Sequence, residues 1–364
     1  MAYTLIGELV GDDPGDPNFG VIVTCSATGN TVAVAGQGTG AGAVYVFERD
    51  GDDWPEQEKL MGPSGGDPAG FVLAAISDDG DRLIVGAPGT DQIFPSDTEG
   101  GTVFFYERAA SVWGEVASFA GSGGSNSGLG EDTAINGAGD LAIACDQKSV
   151  VRVYEDDGMG WSDGANLGGA FNAWCVAMSN DGNYAAYSGD GGDVETFVRV
   201  AGVFEALASV TTPESPIDAI LSRRNLGFSA DGGRLWVSTT GQSFDTQAGW
   251  IYTRSGGGWD LEKTLIPTVD QISDGEAVFS PDGTVLFLGQ QADDSNTGAA
   301  FVFRRDSGGD WAEDQKLTDG ESFFGTSLAA TDSLRYLFVG SAGRVFVYES
   351  EPASVSIRTK AHRT

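Results

Sequence analysis

Short apolar stretches and polar, glycine-bearing turns alternate along this chain in a pattern that returns roughly every 50 residues. The clearest unit opens with Phe71–Val72–Leu73–Ala74–Ala75–Ile76 and turns through Ser77–Asp78–Asp79–Gly80. It continues with Leu83–Ile84–Val85–Gly86–Ala87–Pro88, a longer connection, and the alternating run Val103–Phe104–Phe105–Tyr106–Glu107–Arg108, then Trp113. The turn recurs as Ser179–Asn180–Asp181–Gly182, Ser229–Ala230–Asp231–Gly232 and Ser280–Pro281–Asp282–Gly283. Asp-Gly steps suit tight hairpins, because glycine takes positive φ without steric cost and aspartate tolerates it. The runs that follow, such as Leu141–Ala142–Ile143–Ala144–Cys145 and Val285–Leu286–Phe287–Leu288–Gly289, are apolar throughout and read as strands buried on both faces. Alternation of aromatic and β-branched residues in Ala43–Val44–Tyr45–Val46–Phe47 and Val345–Phe346–Val347–Tyr348 predicts a third strand. A more polar fourth strand closes each unit behind Trp54, Trp113, Trp161, Trp259 or Trp311, with Phe204 in the fourth unit.

Seven such units start near residues 19, 71, 129, 171, 217, 272 and 323, the third and fourth being degenerate. Four short strands per unit at this period predict an all-β chain forming one seven-bladed β-propeller over residues 1–350. The last unit ends near Glu349 without a fourth strand. Residues 3–10, Tyr3–Thr4–Leu5–Ile6–Gly7–Glu8–Leu9–Val10, resemble that missing strand and are expected to pair into the last blade and close the ring. Residues 351–364 form a basic tail, with Arg358, Lys360 and Arg363 and no acid beyond Glu351.

Phe19–Gly20, Phe324–Gly325 and Val85–Gly86–Ala87–Pro88 followed by Gly101–Thr102–Val103 are similar to the motifs of FG-GAP repeats, the propeller repeats of integrin α-subunits. The resemblance spans about residues 19–349. It implies a binding module without catalytic machinery, whose members bind proteins or glycans. Gly70–Phe71 reverses the pair, four units lack it, and the family's calcium loop is not intact. Asp78, Asp79 and Asp81 are the nearest approach to that loop and the weak candidate for calcium, which needs six to eight oxygen ligands. A second likeness, of Ser229–Ala230–Asp231–Gly232–Gly233–Arg234–Leu235–Trp236 to the Asp-box of sialidases, falls where every unit has its first turn. A sialidase-like glycan hydrolase would also need arginines converging on a carboxylate; Arg152, Arg199, Arg223, Arg224 and Arg234 are the available ones.

Composition narrows the function. The net charge is −33, with lysine only at Lys59, Lys148, Lys263, Lys316 and Lys360. Such a surface excludes nucleic acid as a partner, which calls for a basic stripe, and suits a saline habitat that screens self-repulsion. Cys25, Cys145 and Cys175 lie in apolar strands of different units, without metal-ligand spacing, and read as small buried residues. The one histidine, His362, stands in the tail, so no Ser-His-Asp or Cys-His constellation can form in a folded pocket. No apolar stretch is long enough to span a membrane, and the amino terminus does not read as a secretory signal.

The expected function is therefore non-enzymatic recognition, adhesion or structural support, with no cofactor. Variable loops are where rigid scaffolds carry binding, and Ile93, Phe94, Asp97, Asn126, Asp293, Asp294 and Asn296 are the candidates. One reading is a virion surface or tail component of a marine or halophilic virus. It would be made in the cytoplasm, be released by lysis, dock on capsid or tail proteins through Arg358, Lys360 and Arg363, and contact a host surface glycan or protein. The alternative is an intracellular or peripheral scaffold propeller.

Overall fold

The computed structural model describes residues 2–12, 18–36, 42–62, 73–88, 100–121, 128–145, 151–168, 173–189, 193–211, 213, 226–238, 249–265 and 276–350. Seven antiparallel sheets form the blades. Counting strands a to d from the axis outward, blade 1 is Ile22–Cys25, Thr31–Gly36, Ala43–Glu48 and Glu56–Met61. Blade 2 is Leu73–Ile76, Arg82–Ala87, Thr102–Ala109 and Val112–Ala120, and blade 3 is Thr133–Ile135, Leu141–Cys145, Val151–Asp156 and Trp161–Asp163. Blade 4 has Ala173–Met178, Tyr184–Gly189 and Asp193–Val200, with its outer strand split into Val203–Ala206 and Val210–Thr211. Blades 5 and 6 run Leu226–Phe228 to Gly258–Leu265 and Ala277–Phe279 to Trp311–Leu317. Blade 7 has Leu328–Ala330, Tyr336–Ser341 and Arg344–Ser350, and takes Tyr3–Leu9 as its outer strand.

One turn, used seven times, sets the a–b hairpin. Ser26, Ser77, Asn136, Ser179, Ser229, Ser280 and Thr331 each accept, on a side-chain oxygen, the N–H of the residue five positions on. Where the third position is aspartate the serine hydroxyl donates to it, as Ser77 does to Asp79 at 2.6 Å. The fourth position has positive φ in all seven: glycine in six, Leu334 in blade 7. The sequence reading of these turns as local hairpins is therefore incomplete, because they also join the blades. Around the axis Asp332 N–H donates to Ala27 O, Ala27 to Asp78 O, Asp78 to Gly137 O and Gly137 to Asn180 O.

The core is seven wedges, one in each seam between blades, rather than a single centre. Each strand-d aromatic plugs the seam before its own blade. Trp54 packs on Tyr336 and Phe338 of blade 7, Trp161 stacks on Phe105 of blade 2, and the Trp259 indole donates to Thr196 of blade 4 at 3.1 Å. Arginines at the ends of strands c reinforce the seams: Arg108 pairs with Glu48, Arg199 with Glu155, and Arg305 with Glu262.

The Phe-Gly pairs have a specific place here. A Cβ on Gly86 would stand 2.2 Å from the Gly130 carbonyl oxygen, one on Gly289 2.1 Å from that of Gly325, and one on Gly340 2.0 Å from that of Gly20. Strand b of one blade thus touches the backbone of the next blade's loop, and only hydrogen fits. Leu129–Gly130 is a third such pair, not recognisable by the Phe-Gly pattern.

Outer strands share a one-residue bulge in one register, at Ile6, Gln57, Val116, Glu262 and Asp314. Bulges at an exposed edge twist it away from further pairing. Among the described residues no helix is long and apolar enough to cross a membrane.

Candidate interaction faces

Antiparallel strands place the a–b and c–d turns on one face of the ring, the turn face. The b–c and d–a connections meet on the other, the loop face. Ile93, Phe94, Asp97 and Asn126 lie in connections outside the described residues, as do Arg358, Lys360 and Arg363.

Asp293, Asp294 and Asn296 lie on the loop face, in the helical turn Asp293–Asn296 between strands b and c of blade 6. They do not act alike. Asp293 is buried and pairs with Lys316 at 2.6 Å, which holds the loop to its own blade. Asp294, Ser295 and Asn296 are exposed and stand consecutively at φ 47°, 61° and 71°. Phe323, also at positive φ (61°), donates its N–H to Asn296 O at 2.8 Å across the seam to blade 7. Left-handed backbone at non-glycine residues costs on the order of 1–3 kcal/mol each and is retained where surrounding structure over-determines it. Phe324 fills the seam and is fully buried, while Phe323 remains 44 % exposed. Phe323 is the residue that sequence reasoning missed. The signal was the doublet Phe323–Phe324–Gly325: only one phenylalanine can occupy the Phe-Gly position, so the other is displaced outward.

A channel runs along the axis. The seven inner strands line a cavity of about 300 Å³. On the loop side its acids serve the frame: Asp132 accepts the N–H of Thr133 and of Val176 in blade 4, and Glu276 accepts the N–H of Leu328 in blade 7. Next to them, burial and then the charge of Asp132 push the Cys145 thiol well up. Cys175 is equally buried, and Cys25 lies partly buried in the channel wall. On the turn side a second cavity, about 210 Å³, includes Asp78, Asn180 and Asp332 in its wall. Asp78 accepts from the Asn180 amide at 3.0 Å. Burial, then the charge of Asp78, raises the Asp332 carboxyl above its ordinary value.

The three carboxylates considered for calcium face different partners. Asp78 takes Asn180, Asp79 takes the Ser77 hydroxyl and the Asp81 N–H, and Asp81 takes Arg108. The Asp-box of blade 5 is one of the seven a–b turns, with Ser229 bonded to Asp231 and Trp236 fully buried. Arg152, Arg199 and Arg234 are committed separately to Asp163, Glu155 and Glu262, and Arg223 and Arg224 lie outside the described residues.

No family model matches this sequence, and no curated protein matches it. Among solved structures the chain is similar to the β-propeller domain of Cps50 (Swd1) from Myceliophteria thermophila. The TM-score is 0.67 at 12 % identity, over 96 % of this chain and 100 % of that one. At that identity the likeness is one of fold, and what it establishes is the seven-bladed β-propeller that the strand pairing shows directly.

Proposed function

We propose that this chain is a non-enzymatic scaffold propeller that holds a protein partner on its loop face. The observation that carries this reading is Phe323, an exposed aromatic ring on left-handed backbone, tied to the exposed run Asp294–Ser295–Asn296 across a blade seam. Exposed aromatics on rigid supports are the usual anchors of protein interfaces, and the flanking polar side chains supply a hydrogen-bonding rim. Backbone hydrogen bonds between the a–b turns of neighbouring blades and packed seams hold the frame, so partner binding would require little rearrangement of it. The virion reading, the FG-GAP assignment and adaptation to brine rest on the sequence alone, and the scaffold reading takes precedence over them.

The test is affinity capture of cross-linked partners from source cells, with wild type and the variants Phe323→Ala and Asn296→Ala. Loss of the same partner in both variants is expected, with unchanged melting. Capture indifferent to both variants overturns the site. Turnover of fluorogenic glycosides by the purified chain overturns the non-enzymatic reading, and recovery of the chain in purified virus particles restores the virion one.

A further inference from the structure

The exposed ring of Phe323 stands among carboxylates that the chain does not fully compensate. Glu321 precedes it by two residues in the connection from blade 6 to blade 7, and the bond from Phe323 N–H to Asn296 O ties its backbone to the turn that carries Asp294. The cations of this sector are already committed. Lys316 pairs with the buried Asp293 at 2.6 Å. Arg344 is shared between Glu8 at 3.1 Å and Glu321 at 3.8 Å. Asp294 and Asp319, both exposed, form no ion pair among the described residues. Partial burial, then the charges of Glu8 and Glu321, raise the Asp319 carboxyl above its ordinary value, and Arg344 offsets this only in part.

An exposed aromatic ring flanked by such carboxylates is complementary to one kind of group. The face of a phenylalanine ring attracts a cation, and carboxylates accept charge-assisted hydrogen bonds from it. A guanidinium meets both demands at once, because it is flat enough to stack and carries its donors in one plane, whereas an ammonium is compact and strongly hydrated. Other occupants fit less well. A second copy would set like charge against like charge, at −33 per chain. Nucleic acid and anionic lipid carry the same sign. A neutral glycan would stack on the ring and leave the carboxylates uncompensated.

We propose that the partner held on the loop face is a protein presenting an arginine-bearing segment, with one guanidinium stacked on Phe323 and donating to Asp294 or Glu321. The proposal rests on the loop-face reading and adds to it the chemistry of the partner. The ring anchors the arginine, while the carboxylates speed encounter and orient the segment. Binding therefore weakens with added salt.

Selection from a random peptide library displayed on phage tests it, with the full wild-type chain as bait and Phe323→Ala as the counter-selecting surface. Phe323→Leu, which keeps an apolar side chain and removes only the ring, serves as a second counter-bait, and the melting curves of both variants are compared with wild type. The retained peptides are expected to share an arginine. Replacing that arginine by citrulline should weaken binding about fivefold or more, and so should Asp294→Asn/Glu321→Gln in the protein. Both losses should shrink in molar salt. Arginine-free peptides that still require Phe323, or peptides indifferent to Asp294→Asn/Glu321→Gln, overturn the basic partner and leave the loop-face site standing. Failure to retain any peptide that distinguishes wild type from the Phe323 variants overturns both. Phe323-dependent binding on a glycan array, or self-association in sedimentation that Phe323→Ala abolishes, assigns a different occupant and overturns the proposal.

Discussion

The hydroxyl of Tyr3 donates a hydrogen bond to the carbonyl oxygen of Leu334 at 2.7 Å, joining the first strand of the chain to the last a–b turn. Leu334 occupies the place that glycine holds in the other six turns, at φ 58°. Tyr3 is 3 % exposed and packs edge-on against Phe287 of blade 6, while Leu9, at the other end of its strand, enters the seam between blades 7 and 1. One seven-residue strand thus closes two seams.

Closure should appear as a graded loss of stability in denaturant unfolding. Tyr3→Phe removes one hydrogen bond and is expected to cost about 1 kcal/mol. Tyr3→Ala empties a core position and should cost about 3–5 kcal/mol. Leu5→Ala, at a position 44 % exposed, should change stability by no more than about 0.5 kcal/mol. Deleting residues 2–9 should lower the melting temperature sharply. An unchanged melting curve would mean that the ring is closed by other means.

Much of this architecture is legible in the sequence because its signals are repeated. Ser-x-Asp-Gly turns, double-sided apolar strands b and seam tryptophans each report one local geometry several times over, so degenerate blades 3 and 4 are carried by their neighbours' register. Contacts between blades are not legible in that way. The reach of Arg305 to Glu262, or of Ala27 N–H to Asp78 O, joins residues whose separation encodes nothing about proximity until the ring exists. The loop face was legible only as a place. Asp293, Asp294 and Asn296 looked equivalent, yet Lys316 draws the first inward while the left-handed turn leaves the other two in solvent. Phe323 was hidden because a phenylalanine beside Phe-Gly reads as core.

The close approach of Gly86 to Gly130 predicts a sharp contrast between glycines. In Gly86→Ala the new methyl meets a backbone carbonyl at 2.2 Å, so the seam between blades 2 and 3 must open. A loss of about 3 kcal/mol or more is expected, beyond the usual range for a single methyl added to a core. Gly51→Ala places its methyl in open space at φ 68° and should cost only about 1–2 kcal/mol, the left-handed penalty alone. Equal losses at the two sites, by equilibrium unfolding, would contradict the packing argument.

Glu262 should make stability depend on acid pH. Burial opposes its ionisation, but hydrogen bonds from Thr253, Arg305 and Trp311, together with the charge of Arg234, outweigh this and bring its carboxyl down to about 2. A carboxyl depressed by folding contributes stability above its unfolded value, near 4.5, and loses that contribution as pH falls toward 2. With allowance for solvent screening the contribution is on the order of 1–2 kcal/mol. Glu262→Gln should lower stability at pH 7 and flatten its fall between pH 4.5 and 2. A variant that keeps the full acid slope would show that other carboxylates carry it.

Salt should stabilise this ring. Two effects of screening oppose one another. Added salt weakens ion pairs, and it also weakens repulsion among carboxylates that leave the chain at −33. The arginines that pair across seams, Arg82, Arg108, Arg199 and Arg305, are only 21–28 % exposed, and sheltered pairs are screened less than open charges. The turn aspartates, by contrast, carry their charge at the surface of the hairpins. Relief of repulsion therefore outweighs the weakening of ion pairs, and the melting temperature should rise from dilute buffer to molar sodium chloride. A flat or falling melting temperature in salt would show that the inter-blade pairs, rather than the excess acid, govern the electrostatics of the ring.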